Sequence, residues 1–258
     1  MKRIFTGLLT ALLLLSCFSV WALAAEDAAA GYKDAEKISH AEAVQVLSDL
    51  EILAGYEDGY FYPAKPVTRA EMAKMICSLL DPEKDSYSHK TASFHDMEGH
   101  WAQEYVQACY ERGIVSGKNA STFDPNATVT GVEASKMLLV VLGYDPLIEG
   151  FTGSVTWEAT VLKAARQANL FSCLEGTRLA TPLTRDEAAQ MILNALDAEI
   201  VYYDFQIDPG RAEGDPLYNA FRTTTGQKLY EQRFNGILQK SSSQDASGNT
   251  SIHWTVCK

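Results

Sequence analysis

The chain has 258 residues, a formal net charge of −11 and 47% hydrophobic residues. That hydrophobic share excludes disorder of the whole chain and supplies one sizeable core or several small units. The excess of Asp and Glu over Lys and Arg removes the broad basic footprint by which a protein holds nucleic acid or anionic lipid, so any polyanion must be held by local pockets.

Residues 1–24 combine a basic start (Lys2, Arg3), an apolar run from Leu8 to Val20, and Ala22-Leu23-Ala24 before Ala25. This is the layout of a cleaved secretory signal. The run is short for a transmembrane anchor and no basic stop-transfer cluster follows it. Leu14-Leu15-Ser16-Cys17 also resembles a lipoprotein cleavage box, but its middle Leu is atypical and the downstream Ala-x-Ala site is good, so Cys17 is read as part of the apolar core of the signal. The mature chain is expected to be secreted, with no transmembrane segment after cleavage. Its cysteines, Cys77, Cys109, Cys173 and Cys257, form no Cys-x-x-Cys pair and resemble neither a metal cluster nor a disulfide scaffold.

Residues 31–81 read as helix, loop, helix. Ser39-His40-Ala41-Glu42 has the spacing of a capping box, followed by Ala43, Val46, Leu47 and Leu50 on one helical face. The loop from Gly55 to Pro63 carries turn residues and aromatics. It is either a packed turn or a surface that touches sugar. Next comes VTRAEMAKMI, Val67 to Ile76, whose Met72, Met75 and Ile76 continue to Leu79 and Leu80 as an apolar stripe. Thr68 stands three residues before Glu71, the spacing at which hydroxyl and carboxylate satisfy the free N–H groups of a helix start.

Residues 93–144 repeat this at one constant offset, which lays Phe94 on Tyr32, Asp96 on Asp34, Gly117 on Gly55, Phe123 on Phe61, Thr130 on Thr68 and Glu133 on Glu71. The first-helix face carries Trp101, Tyr105, Ala108 and Cys109; the second carries Ala134, Met137, Leu138, Val141 and Leu142. Cys109 falls on Leu47, and Cys77 on Leu139, so both are expected to be small core hydrophobes. Gly113 marks the left-handed stop of the first helix. The run from His95 to His100 invites a metal reading, yet the other copies lack these histidines and no metal is expected.

Residues 150–199 form a third copy with a shorter loop: Trp157 falls on Trp101, Asn169 on Gly113, Thr184 on Thr130 and Glu187 on Glu133. Its stripe is Ala188, Met191, Ile192, Ala195 and Leu196. A helical pair this small buries little alone, so the three stripes are expected to pack together as a mainly α, pseudo-threefold bundle. Residues 200–258 break the pattern. Phe234–Gln239 and Ser251–Val256 read as strands of a β hairpin joined by a Ser/Asn/Gly-rich connection, either docked on the bundle or opening a larger truncated region.

Phe94-His95-Asp96, His100-Trp101-Ala102, Gly113-Ile114, the Gly55 to Pro63 loop and Thr68-Arg69-Ala70-Glu71 resemble the S-layer homology (SLH) domain. The resemblance implies a pseudo-trimeric spindle that anchors an exported protein to the bacterial cell surface. The implied partner is secondary cell-wall polysaccharide, often pyruvylated and linked to peptidoglycan, bound in grooves between repeats, with no cofactor, no catalysis and no nucleic acid. Arg suits a pyruvyl carboxylate through two charge-assisted hydrogen bonds, and aromatic faces suit the sugar ring. The residues carried over as ligand-binding are Arg69, Arg185, Asp34, Asp96, Trp101, Trp157, Gly55 and Tyr56. Thr68, Glu71, Thr130, Glu133, Thr184 and Glu187 are helix caps.

The second position of the box neither caps nor joins the stripe, so on the residues alone Arg69 and Arg185 are either solvated or paired with a neighbouring acid, or else held for ligand. The resemblance implies ligand for both, with Gly131 leaving its groove weak or silent. Copy one also has Ser39 where the others have Trp, and copy three lacks the Phe-x-Pro landmark, reading Arg178-Leu179-Ala180-Thr181-Pro182. The rival readings are the anchor of a surface enzyme, and a structural subunit or adaptor of a surface layer with surface-layer protein partners. The absence of Gly-x-Ser-x-Gly and His-Glu-x-x-His motifs and the short tail disfavour the enzyme.

Overall fold

The computed structural model describes residues 31–81, 93–153, 155–207, 218–245 and 247–257. The expected signal segment and Cys17 lie outside the described residues. Three helix pairs follow one another: α1 (Ala41–Asp49) and α2 (Arg69–Leu80), α3 (Gln103–Glu111) and α4 (Gly131–Val141), α5 (Trp157–Gln167) and α6 (Arg185–Leu196). Among the described residues, no helix is long and apolar enough to cross a membrane.

The second helix of each pair begins at a full capping box. The hydroxyls of Thr68, Thr130 and Thr184 each accept from the N–H of the Glu three residues on, at 3.2 Å, and that Glu accepts the Thr N–H at 2.9 Å. Each cap is worth about 1 kcal/mol. The start of α1 corrects the sequence expectation: its cap residue is His40, without a side-chain bond of its own. Asp186 of α6 accepts the N–H groups of Ser39 and His40, both at 3.1 Å. The N–H groups leading into the helix thus find their acceptor 146 to 147 residues away, which local spacing cannot reveal.

Main-chain bonds tie the three pairs together in a cycle. Val67 N–H donates to the Leu183 carbonyl (2.9 Å), Leu183 N–H to Val129 (2.8 Å), and Val129 N–H to Val67 (3.0 Å). Around them the apolar stripes form one core: Met72, Ile76, Leu138, Leu142, Met191, Ile192 and Leu196 are all buried. α3 packs on α2, α5 on α4, and α1 on α6. Gly113 and Asn169 adopt positive φ of 69° and 57° at their helix ends. Cys77 and Cys109 are buried where α2 meets α3, with sulfurs 3.5 Å apart. Their mutual hydrogen bond, with burial, pushes the Cys109 thiol pKa up.

The tail holds more strand than the sequence suggests. β1 (Glu199–Ile207) pairs antiparallel with β2 (Tyr218–Lys228), a short helix α7 (Leu229–Arg233) follows, and β3 (Leu238–Gln244) pairs antiparallel with β4 (Thr250–Val256). The polar run Thr223 to Lys228 is therefore strand, as is Ser241–Gln244, while Phe234 to Ile237 is not. Much of these strands is exposed, so the apolar alternation that marks a half-buried strand is weak. The tail docks through buried Leu229, Phe234 and Leu238 and through the ion pair of Lys240 with Asp197 at 2.6 Å.

Candidate ligand-binding groove

The loop after α1 is held from two sides. Asp34, buried before α1, accepts the N–H groups of Phe61 (2.8 Å) and Tyr62 (2.9 Å). Asp96 does the same for Phe123 (2.9 Å) and Asp124 (2.7 Å) after α3. Burial works to raise the Asp96 pKa, but these N–H donors outweigh it and hold the carboxyl below its ordinary value. Both acids thus clamp their own loops.

From the other side comes an arginine of a different helix pair. Arg185, at the start of α6, donates Nε to the Phe61 carbonyl (2.9 Å) and Nη2 to the Ala54 carbonyl (2.8 Å). Arg69, at the start of α2, donates Nε to Phe123 (2.9 Å) and Nη2 to Ser116 (2.7 Å). Both arginines are buried and lie over aromatic rings, Arg69 4.2 Å from the Phe123 centroid and Arg185 4.7 Å from that of Phe61. The expectation that this position has no architectural duty is overturned, because each arginine staples its neighbour's loop. Nη1 of Arg185 makes no hydrogen bond among the described residues.

Gly131 completes the pattern by exception. A Cβ there would lie 2.8 Å from the Leu179 Cα and 3.1 Å from its carbonyl oxygen. As Arg69 and Ala70 do to the carbonyls of Ala127 and Pro125, and Arg185 and Asp186 to those of Lys65 and Pro63, the Gly131 and Val132 N–H groups donate to Thr181 and Leu179 (3.3 and 2.9 Å). What differs is that the shorter loop of residues 170–183 brings the Leu179 backbone to the place where the other two helix starts carry a guanidinium side chain. Sequence comparison located this Gly but not its cause.

A cavity of about 740 Å³ opens beside Arg185. Gly55, Tyr56, Trp101 and Arg185 line it together, with Glu71 and Lys74 of α2. Its walls therefore come from all three helix pairs. Gly55 is small because a Cβ would sit 2.4 Å from the Tyr32 ring and 3.0 Å from the Tyr60 carbonyl. Trp101 is 57% exposed, an apolar face turned to water. Tyr56 donates its hydroxyl to Glu71 (2.9 Å) and accepts from Lys65 Nζ (2.7 Å). Burial works to raise the Glu71 pKa, but the Thr68 N–H, the Tyr56 and Thr68 hydroxyls and Lys65 together lower it. Glu71 stays an anion while capping its helix.

The cavity leaves out Asp34 and Asp96, which face backbone, and Arg69 and Trp157. These last two belong to the next seam, where Lys136 stands 5.5 Å from the Trp157 ring and Lys118 is 3.7 Å from Glu133. At the third seam a cavity of about 420 Å³ is lined by Ser39, Cys173 and Glu187, with neither arginine nor tryptophan. Lys74 escaped the sequence reading; its signal was its place three residues after Glu71, matched by Lys136 three after Glu133. Among the described residues no cluster of three His, Cys, Asp or Glu is arranged to hold a metal. Asp96 is engaged by backbone, and His100 Nδ1 accepts the Ala102 N–H at 3.1 Å.

Residues 31–73 and 93–135 match the S-layer homology domain family. A "Cellulosome-anchoring protein" of Acetivibrio thermocellus is 31% identical over 43% of this chain and 26% of its own length. A "Middle cell wall protein" of Brevibacillus brevis is 26% identical over 78% of this chain and 18% of its own. An "Endo-1,4-beta-xylanase A" of Thermoanaerobacterium saccharolyticum is 36% identical over 37% of this chain and 8% of its own. The chain thus spans about a quarter or less of these relatives. Two stretches match the S-layer homology domain, and the names of the relatives include an anchoring protein and a cell wall protein.

Proposed function

We propose that this chain is an exported, non-catalytic anchor that binds bacterial wall polysaccharide, with SLH repeats at 31–81, 93–144 and 150–199 arranged as a pseudo-threefold bundle. The observation that carries this reading is the cavity joining Arg185, Trp101 and Tyr56 from three helix pairs. The chemistry fits a sugar bearing a carboxylate, as a pyruvyl ketal does. Arg185 and Lys74 supply positive charge, Trp101 covers the apolar face of the ring, and Glu71 and Tyr56 offer hydrogen bonds. Arg69, Trp157 and Lys136 stand at the corresponding positions of the next seam, with Lys118 in place of Tyr56, and are the candidates for a second groove. The names of the relatives, which include a wall protein and an anchoring protein, support attachment at the cell wall.

The test is co-sedimentation of the full chain with purified sacculi, before and after chemical removal of the secondary polymer. Binding is expected only while the polymer is present; retention after removal rules the polymer out. Trp101→Ala is the cleanest variant because the ring is so exposed. It is expected to weaken binding by more than about tenfold while stability moves by no more than about 0.5 kcal/mol. The xylanase relative favours a second reading, in which the same anchor serves a surface enzyme; the binding experiment is common to both.

A further inference from the structure

Tyr62 has a positive φ of 57°, a conformation that a bulky aromatic adopts less readily than Asn or Asp. The same loop position after α3 is Asp124, with φ 63°, so the loop geometry does not require an aromatic. Nor is the ring buried, since Tyr62 is 40% exposed. An aromatic held at positive φ and left open to solvent is a candidate for use as well as for folding.

The neighbours of Tyr62 show what that use is. Its ring centroid lies 5.3 Å from that of Tyr56, edge to face, and 5.4 Å from that of Tyr60, at 21° between planes. Tyr56 is itself a wall of the large cavity. The three rings therefore run as one aromatic surface from the cavity out along the loop. The Tyr62 hydroxyl donates to Asp58, and Lys33 donates to the Asp58 carbonyl at 2.7 Å, so the outer rings are held in place before any ligand arrives. Lys33, 5.4 Å from the Tyr60 ring, and Lys65, 4.4 Å from the Tyr56 ring, flank the surface with positive charge. After α3 the corresponding positions are Lys118, Thr122 and Asp124, which build no such surface.

We propose that Tyr60 and Tyr62 form an outer subsite that stacks a further pyranose of an acidic polysaccharide whose terminal sugar fills the Arg185 cavity. This rests on the groove reading above and adds ligand length as a determinant of affinity. The outer rings reward a chain that leaves the cavity along the loop, and reward a single sugar not at all.

The probes are wall polysaccharide released from sacculi by muramidase digestion at neutral pH, which spares an acid-labile ketal, and fractionated into single-unit and multi-unit pools, titrated calorimetrically into the full chain. Wild type is expected to bind the multi-unit pool more tightly than the single-unit pool. Tyr62→Asn, and the pair Tyr60→Thr with Tyr62→Asn, should erode that preference by roughly 3- to 10-fold, with a clearly smaller change in single-unit affinity because Tyr62 touches the cavity only through Tyr56 and Asp58. Because Asn suits the left-handed position, the Tm of Tyr62→Asn should hold or rise, which a merely structural tyrosine would not allow. Equal loss for both pools, or full retention of the preference, overturns the subsite. A wild type that binds both pools alike overturns the subsite and leaves the groove standing; one that binds neither pool removes both.

Discussion

The seam at Arg185 and the seam at Gly131 have the same start and different contents. At both, a Thr-Glu capping box opens the helix. At the first, the guanidinium reaches two carbonyls of a long loop and a cavity of about 740 Å³ remains in front of it. At the second, the shorter loop lies on the helix, with the Leu179 backbone where a side chain would otherwise begin. The arginine and the loop it holds therefore come and go together. What looked like a ligand contact missing from one copy is first of all a difference in how that copy's neighbour is supported.

Removing the staple should have the largest effect. Arg185→Ala withdraws two charged donors from the carbonyls of Phe61 and Ala54, and is expected to cost about 2–4 kcal/mol in urea denaturation. Unchanged stability would return Arg185 to a purely ligand-facing role. Gly131→Ala comes next. Its Cβ meets the Leu179 backbone as well as the end of the Leu179 side chain, and the backbone contact cannot be relieved by a rotamer change, so the loop must move, at about 1–3 kcal/mol. If the variant is as stable as wild type, the short loop is not seated by Gly131, and the contrast between the seams loses its cause.

The apolar stripes, the three boxes and the helix stops were legible because each is set by residues three or four apart. The stripe of Met72, Met75 and Ile76 is buried, and Cys109 lies in the core as its match to Leu47 implied. The duty of Arg69 and Arg185 was not legible, because their acceptors are carbonyls 47 to 131 residues away. Asp186 capping α1 was hidden for the same reason. The cavity could be named only in part: Gly55, Tyr56, Trp101 and Arg185 meet there, while buried Asp34 and exposed Asp96, equally prominent in the motif, are engaged by the backbone of their own loops. The tail strands failed differently, since exposure of their faces leaves little hydrophobic period to read.

The smallest effect separates what the seams share from what they do not. Glu71 and Glu187 both have a pKa held below the ordinary value of 4.5: burial opposes it in each, and Thr N–H and hydroxyl donors win. Such a depressed carboxyl stabilises the fold fully above about pH 4.5, and that stability is lost as the pH falls through the lower folded value. Glu71→Gln and Glu187→Gln keep a capping-box acceptor without the titration. Each should flatten the acid limb of a stability-against-pH curve. Only Glu71→Gln should also weaken binding to sacculi, because Glu71 lines the Arg185 cavity and carries Tyr56. Should Glu187→Gln weaken binding equally, the third seam is a working groove despite lacking arginine, and ligand binding does not follow the staple.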